Sequence, residues 1–364
     1  MLVQMGKARN EKCDLAMTFS FSHPLAQREC DLVFLANDAA LQKKATKRHP
    51  APQSQSSVTV SSSLSAISEA KLGEIVGLPP RPPEDMPQFA VVLRRETTYV
   101  SGRYMKLSRT ISQSPWFING QRLGSTSVDE CITTDLLSVF GAKSHKFSSS
   151  GREDMNVRML GRGRPFLVQL IDAKISPSTF TQEQYKLIQN KLNQNEHVKV
   201  VDLQFVDRES TKVILEGETS KKKHYRCLVK LSPSLQDPSQ LEKLNSLEAI
   251  VIKQKTPIRV LHRRTLLTRE RTIHSIKCHY INKDYIYVDL VTQAGTYVKE
   301  FVHSDLGRTV PSLSSLMSWG DYECDILLLD VTEIDLDYPP QKTPLDEVKF
   351  EVPSMGQELN ITSL

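Results

Sequence analysis

The sequence predicts an α+β protein whose mixed, mostly antiparallel sheet contains about eight strands. Apolar runs of strand length are frequent from Phe89 onwards, and three or four segments between them carry helix signals. The strand-like runs often follow one another directly instead of alternating strictly with helices, which favours an α+β arrangement over a parallel α/β sheet. At 364 residues the chain is long enough for a buried core, and we expect one large or two ordinary domains.

The predicted strands are short apolar runs that recur along the second half of the chain. In order they read FAVVLR, FLVQLIDAKI, VKVVDLQFVD, HYRCLVKLS, SLEAIVIKQ, RTIHSIKCHYI, YIYVDLVTQ and ILLLDVTEI. The segment 209–223 is polar and is expected to be a spacer.

The predicted helices are recognised by their start and stop signals. Ser127 and Glu130 have the spacing of a capping box, and Gly141 follows the last residue of an apolar repeat with a period of four. The other three helices are expected to begin at Thr181, at Asp237 and at Val298.

Composition divides the chain into four segments. Residues 1–45 hold two apolar runs, 16–21 and 32–36, which suit a small accessory domain. Residues 46–87 are predicted to be a disordered linker, because eight of the fifteen residues at 54–68 are serine and five prolines fall within 79–87. The folded domain is expected to occupy residues 88–345, followed by a C-terminal tail at 346–364.

Charge and cysteine usage narrow the class of protein. The net charge of +5 is too mild to indicate nucleic acid alone, so the clustering of basic residues carries more information. Six cysteines are scattered without a C-x-x-C pair, which indicates reduced thiols and not disulfides or a zinc site. No apolar leader and no segment of membrane-spanning length is visible, so we expect an intracellular protein without a membrane partner.

The most distinctive stretch is residues 147–166, FSSSGREDMNVRMLGRGRPF. Adjacent acids, Glu153 and Asp154, stand among glycines and four arginines. Guanidinium groups match phosphate geometry, and nearby positive charge keeps carboxylates ionised. From this chemistry alone, a phosphate-binding site and a solvated loop with structural acid–arginine pairs are both open.

Two further basic segments suit nucleic acid. Residues 101–120, SGRYMKLSRTISQSPWFING, interleave aromatic and basic side chains, a pattern shared by RNA contacts and by a core with a charged rim. Residues 255–264, KTPIRVLHRR, place five basic side chains beside a proline turn, which favours a surface for the RNA backbone.

The amino-acid sequences of these segments are similar to those of one enzyme family. GREDMNVRMLGRGRPF resembles the catalytic loop of the tRNA pseudouridine synthases, specifically the archaeal and eukaryotic Pus-ten family. The resemblance continues through KKHYRCLVK, QKTPIRVLHRR, QAGTYVKEFVHSDLGRT and DILLLDV, and covers about residues 89–340. Asn156 stands where the family usually has a second aspartate. The resemblance implies the pseudouridine synthase catalytic fold, with helices and loops around a central cleft.

The resemblance also implies roles for individual residues. Asp154 falls on the catalytic aspartate, Lys299 on the basic residue that pairs with it, and Tyr225 on a tyrosine that stacks on uracil and assists removal of the C5 proton. Tyr297 would line the uracil pocket, and Val298 or a leucine within 327–329 would supply its apolar wall. Further substrate contacts are expected from Arg152, Arg158 and Arg164, and contacts to the RNA backbone from Arg103, Lys106, Arg162, Arg259, Arg263 and Arg264.

The implied reaction converts uridine to pseudouridine in the T loop of tRNA, at tRNA positions 54 and 55. It involves no redox change and no external energy, so we expect no cofactor and no metal. The expected partners are the T-arm of tRNA and small-RNA precursors, with the chain itself a monomer in the nucleus, cytoplasm or mitochondrion. Residues 1–45 look like a remnant of the family's RNA-binding accessory domain, without its cysteine zinc cluster.

Two other functions stay open at this stage. A non-catalytic RNA-binding adaptor, for example in small-RNA precursor processing, would keep the fold without the reaction. A carboxylate glycosidase is a weaker alternative, because Glu153 is adjacent to Asp154 in sequence and is not expected to face it across a substrate.

Overall fold

The computed structural model describes residues 15–23, 61, 64–76, 85–317, 323–342 and 353–359. The chain forms two compact units, Met1–Arg94 and Arg95–Leu364. In the first unit, strand β1 (Leu15–Ser22) and strand β2 (Gln88–Arg95) form a two-stranded sheet. The run FAVVLR is therefore a strand as predicted, but it does not belong to the large sheet, and the predicted boundary at residue 88 moves to Arg94.

The segment predicted to be a disordered linker requires a correction. Within it lies helix α1 (Glu69–Val76), whose sequence EAKLGEIV contains several good helix formers. The serine-rich and proline-rich stretches flank this helix without extending through it. The apolar run 16–21 forms β1, whereas the run 32–36 lies outside the described residues.

The second unit is built on one large sheet. Its strands are β3 (Thr98–Lys106), β6 (Ser144–Ser149), β7 (Val157–Ile171), β8 (Val198–Val206), β9 (Lys223–Ser232), β10 (Glu248–Lys255), β11 (Thr268–Asn282), β12 (Tyr285–Thr292), β13 (Thr309–Val310) and β14 (Glu323–Ile334). A small hairpin, β4 (Trp116–Ile118) with β5 (Gln121–Leu123), stands apart from the sheet. Among the described residues the sheet has ten strands, so the mixed, mostly antiparallel prediction is confirmed with two more strands than expected.

The strand order places one junction at the middle of the sheet. The order is β13-β10-β11-β12-β9-β14-β7-β3-β8, with β6 also paired to β7. The described pairings are antiparallel except β7 with β14, where Leu329 lies opposite Val157 and Val331 opposite Met159. The two antiparallel halves therefore meet at a parallel pair, directly after the stretch that carries Asp154.

Helices cover the sheet, and their bounds follow the capping signals. They are α2 (Val128–Phe140), α3 (Gln182–Leu192), α4 (Ser210–Ser220), α5 (Gln240–Asn245), α6 (Val298–His303), α7 (Leu313–Leu316) and α8 (Met355–Glu358), with 3-10 turns at Pro177–Thr179 and Ile258–Val260. Ser127 accepts a hydrogen bond from the Glu130 amide, and Gly141 ends α2 with a left-handed φ of 57°. Thr181 and Gln184 form the predicted capping box.

Two elements differ from the sequence prediction for physical reasons. The predicted spacer 209–223 contains α4, whose buried face consists only of Ser210, Ile214 and Gly217, so its apolar pattern is short. The predicted tail contains α8, which packs on the sheet through Met355. This side chain is 2% exposed and contacts Leu228 of β9. A short amphipathic pattern gives little sequence signal, although tertiary contacts are enough to stabilise the helix.

Strand β3 carries a buried arginine that the sequence assigned to the RNA backbone. Arg103 is 2% exposed and donates to four carbonyl groups, including Leu336 O at 2.7 Å and Tyr338 O at 2.9 Å. Two of these bonds tie β3 to the chain that follows β14, and the other two, to Arg162 O and Gly163 O, tie it to β7. The prediction for Arg103 is corrected accordingly, because a buried guanidinium with four hydrogen bonds to backbone carbonyls holds the fold together and is not available to a phosphate.

Arg158 is likewise internal and not a substrate contact. It is 3% exposed and binds both the Asp330 and Glu358 carboxylates. Arg109 completes this cluster, with 2.8 Å from its Nη2 to Asp330 Oδ1 and 2.8 Å from its Nε to Glu358 Oε2. The cluster attaches α8 to the β7–β14 junction.

Glycines in β7 allow neighbouring backbone to approach closely. Gly161 has a φ of +60°, and a Cβ added there would lie 2.0 Å from Thr332 O, whereas Gly120 in the β4–β5 hairpin has a φ of +79° with open space around it.

Gly120→Ala should lower the free energy of unfolding by about 1–2 kcal/mol through backbone strain alone. Gly161→Ala should lower it by about a further 1–3 kcal/mol, because the neighbouring backbone must move. Urea unfolding of the two variants checks this, and equal losses would contradict the close contact at Gly161.

Candidate active site

The loop at residues 150–156 connects β6 to β7 at the junction of the two half-sheets. Its glycine, Gly151, has a φ of +99°, and a Cβ at this position would lie 3.0 Å from Arg164 Nη1. Glycine thus allows both the left-handed backbone and the close approach of the arginine. The loop is held at the sheet centre by buried side chains beneath it.

Glu153 is one of these anchors. Its carboxylate is 1% exposed and accepts from Arg164 Nε at 2.9 Å and from the Tyr104 hydroxyl at 3.0 Å. Gln113 donates in turn to the Tyr104 hydroxyl at 2.7 Å and to Gly151 O at 2.9 Å. The sequence left structural acid–arginine pairs open for residues 147–166, and Glu153 forms such a pair in a buried position. Arg164, expected to bind substrate, instead lies at the pocket wall with its charge committed to Glu153.

Lys106 is a second anchor and requires another correction. It is fully buried and donates to the backbone carbonyls of Asp154 at 3.0 Å and Met155 at 2.7 Å, as well as to Ile111 O at 3.0 Å. Desolvation is the main cause that lowers the Lys106 pKa to about 8. Lys106 therefore holds the backbone that carries Asp154 and does not face an RNA backbone.

The Asp154 carboxylate faces two cations. Its Oδ2 lies 3.1 Å from Lys299 Nζ and 3.1 Å from Arg259 Nη1. Burial raises the pKa of Asp154, but Lys299, Arg259 and Arg263 outweigh this effect and hold the pKa below its ordinary value. The side chain is 39% exposed, so a charged carboxylate is presented to solvent and to a ligand.

Asn156 takes part in the same arrangement. Its Oδ1 accepts from Lys299 Nζ at 3.0 Å, so Lys299 bridges Asp154 and Asn156. A carboxylate at position 156 would compete with Asp154 for the ammonium, whereas the amide oxygen accepts without adding a negative charge.

A pocket of about 430 Å³ opens in front of Asp154. Its apolar wall is formed by Val157, Val260, Val298, Leu329 and Val331. Tyr225 and Tyr297 contribute aromatic rings, and Arg152, Arg263 and Arg264 are exposed at its rim. The structure thus brings Asp154, Tyr225, Lys299, Tyr297, Val298 and Leu329 to one cavity that is large enough for a nucleoside.

Tyr225 lies on β9, opposite Val331 of β14. Burial is the main cause that raises the Tyr225 pKa to about 12, so its phenol is neutral at physiological pH. A neutral phenol can stack on a base and form hydrogen bonds through its hydroxyl.

Lys223 is a pocket residue that the sequence reasoning missed. It is 6% exposed, and its Nζ donates only long hydrogen bonds, 3.3 Å to Glu218 O and 3.4 Å to Lys221 O. Desolvation is the main cause that lowers its pKa to about 8. The available signal was its position two residues before Tyr225, because alternate residues of a strand share a face.

Arg162 lies away from this pocket. It is 26% exposed and faces Asp337 at 3.3 Å and Asp202 at 3.6 Å, so it contacts acids of its own chain.

The described residues contain no cluster of three or more metal-binding side chains. Within the same part of the chain, no helix is long and apolar enough to cross a membrane.

Comparison with known proteins decides the family. The family model described as Pus10, C-terminal matches residues 99–335, which include every residue of the Asp154 site. The chain belongs to this family. The Pus10 C-terminal match lies within the second compact unit, Arg95–Leu364.

Individual relatives agree with this assignment. A mouse protein named tRNA pseudouridine synthase Pus10 is 40% identical over 342 residues, which are 93% of this chain and 62% of the mouse protein. A Drosophila melanogaster protein named putative tRNA pseudouridine synthase Pus10 is 46% identical over 247 residues, 66% of this chain and 48% of its own length. A Methanopyrus kandleri protein of the Pus10 name is 36% identical over 267 residues, covering 70% of this chain and 59% of its own. The chain therefore spans less than two thirds of these relatives.

Proposed function

We propose that this chain isomerises uridine to pseudouridine in tRNA and that Asp154 is its catalytic carboxylate. The observation that carries the proposal is the ionised Asp154 at 3.1 Å from Lys299, at the wall of a pocket that also presents Tyr225. The family and the names of its members support tRNA as the substrate class.

The chemical step depends on a charged carboxylate. The N1–C1′ bond of uridine breaks, the detached base turns, and a C5–C1′ bond forms. A carboxylate promotes this either by bonding to a carbon or by removing a ribose proton, and both roles require the ionised form. The positive charge of Lys299 favours the ionised form of Asp154. The hydrogen bond from Lys299 to Asn156 fixes the ammonium group beside Asp154.

Tyr225 is proposed to hold the base and to assist the last step. Its ring stacks on uracil while the apolar wall of Val298 and Leu329 limits the space in which the base turns. After the new bond forms, the C5 proton must leave. Because the Tyr225 pKa of about 12 keeps the phenol neutral, its hydroxyl accepts the C5 proton as it passes its own proton to solvent water, and the phenol ends the step neutral.

The proposed substrate is the T loop, with uridines at tRNA positions 54 and 55 as targets. A base within folded RNA must be extruded into the pocket, at a cost of a few kcal/mol. The exposed guanidiniums of Arg152, Arg263 and Arg264 at the rim offset this cost through phosphate contacts. Binding should therefore weaken steeply as the salt concentration rises.

Transcripts of a T-arm, labelled with tritium at C5 of uridine, test this proposal. We expect tritium release with the 364-residue chain, and its loss on replacing the target uridine by cytidine at position 54, at position 55 or at both. A transcript with an unrelated hairpin of equal length serves as the RNA control. Binding of the T-arm without any tritium release would overturn the enzyme and leave an RNA-binding adaptor.

A further inference from the structure

The position of Arg259 differs from what its sequence context suggests. It lies within a run of five basic side chains, which predicts contact with an RNA backbone. In the structure its guanidinium bridges two acids, with Nη1 at 3.1 Å from Asp154 Oδ2 and Nε at 2.6 Å from Glu300 Oε1. Two edges of the guanidinium are thus occupied within the protein.

Glu300 holds this guanidinium from inside the fold. It lies on α6, next to Lys299, and its side chain is 2% exposed. Its second oxygen, Oε2, is buried and has no hydrogen-bond partner within the part of the chain that the structure describes. A buried carboxylate with one unsatisfied oxygen lowers stability, which argues that Glu300 is present for a reason other than stability.

The two cations act on the same atom of Asp154. Lys299 and Arg259 both bind Oδ2, and no described residue donates a hydrogen bond to Oδ1. The carboxylate is therefore held by one oxygen, and the other is left for a ligand. Glu300 fixes Arg259 in this position, so α6 supplies one cation directly through Lys299 and fixes the other through Glu300.

We propose that Arg259, anchored by Glu300, is a positioning residue for the chemical step, which fixes Oδ2 of Asp154 and leaves Oδ1 free to react. This inference rests on the proposed function of Asp154. It assigns Arg259 to the maximal rate of isomerisation and not to RNA affinity, in contrast to Arg264, which is exposed at the rim.

Arg259→Gln in the 364-residue chain separates an effect on the rate from an effect on RNA affinity. We expect the single-turnover rate at saturating T-arm transcript to fall about 10²-fold, while the dissociation constant for that transcript changes less than about threefold. Arg259→Lys keeps the positive charge but cannot bridge Asp154 and Glu300. Its single-turnover rate should therefore lie between those of the wild type and Arg259→Gln. Arg264→Gln is the matched comparison, for which weaker binding and a salt slope reduced by about one are the main expected losses.

The pH profile gives a readout that a simple loss of folding would not move. The charged groups that face Asp154 are Lys299 on α6, Arg259 in the 3-10 turn Ile258–Val260, Arg263 after that turn, and Lys106 on β3. Removing Arg259 deletes one of the cations that lower the Asp154 pKa, so the acid limb of the rate should move to higher pH. Below that pKa the carboxylate is protonated and the rate is lost.

Folding is controlled by a second variant. Arg259→Gln leaves Glu300 buried without its partner, so Arg259→Gln with Glu300→Gln removes both charges and should melt closer to the wild type. The double variant should keep the low rate and the shifted pH profile. Weaker binding with an unchanged maximal rate and profile would overturn this inference alone. A wild type that forms no pseudouridine would overturn the proposed function, and this inference with it.

Discussion

Replacing Asp154 by asparagine is expected to abolish pseudouridine formation, with a rate at least about 10⁴-fold below the wild type. Asparagine keeps the volume of the side chain and can still accept a hydrogen bond at its oxygen. It cannot bond covalently to the substrate as a carboxylate does, and it cannot take a proton from the ribose. Nearly all of the chemical contribution should therefore be lost.

RNA binding by the Asp154→Asn variant should be kept or become tighter, although the reaction is lost. The variant removes one negative charge between Lys299 and Arg259, so the pocket becomes more cationic. The dissociation constant for a T-arm transcript is therefore expected to stay the same or to fall. Because Asp154 is 39% exposed, water can solvate the unpaired cations, and folding stability should change little.

The matched control is Asp325→Asn. Asp325 is exposed on β14, the strand that contributes Leu329 and Val331 to the pocket, and no described residue forms an ion pair with it. It should leave the single-turnover rate unchanged. An Asp154→Asn variant that retains more than about one-hundredth of the wild-type rate would show that another group carries the reaction.

The fold was predictable where capping and apolar patterns agree, and less so elsewhere. Helix α2 illustrates agreement, because the Ser127 cap, the buried Ile132 and Leu136, and the left-handed Gly141 all fit one helix. Strand β3 illustrates the opposite case. Eight of its nine residues are buried, so its side chains show no alternation between polar and apolar faces, and its charged residues suggested a surface.

The site was predictable in type but not in the allocation of its cations. Arginine and lysine look alike in a sequence whether they bind phosphate or satisfy buried carbonyls and carboxylates. Arg103, Lys106, Arg158 and Arg164 are all at most 3% exposed, because each finds acceptors that lie far away in sequence or in a loop. The pairing of Asp154 with Lys299 followed only from the family resemblance, since 145 residues separate them.

The cations around residues 150–156 thus fall into two groups with different duties. Lys106 and Arg164 are buried and hold the loop from the core side, whereas Lys299 and Arg259 are partly exposed and act on the Asp154 carboxylate. The first group should govern folding and the second group catalysis. Under the proposed function, the adjacent acids therefore have different roles: Glu153 stabilises the fold, and Asp154 carries out the reaction.

Glu153→Ala is accordingly expected to lower the free energy of unfolding by about 3–5 kcal/mol. The change leaves the Arg164 guanidinium, 1% exposed, without its carboxylate at 2.9 Å, and it also removes the acceptor of the buried Tyr104 hydroxyl. A buried unpaired charge is among the most destabilising single defects in a protein. Urea unfolding of the variant and the wild type measures the loss.

The surface pair Asp135–Lys191 provides the control for burial. Its atoms are 2.7 Å apart, as close as those of the buried pair, but the side chains are 31% and 57% exposed. Asp135→Ala should cost less than about 1 kcal/mol. Glu153→Ala combined with Arg164→Met removes both buried charges and should recover part of the loss, because no unpaired charge is then left in the core. If the double variant is no more stable than Glu153→Ala, the loss comes from the Tyr104 hydrogen bond and the packing of the loop, and the charge of Arg164 is not its cause.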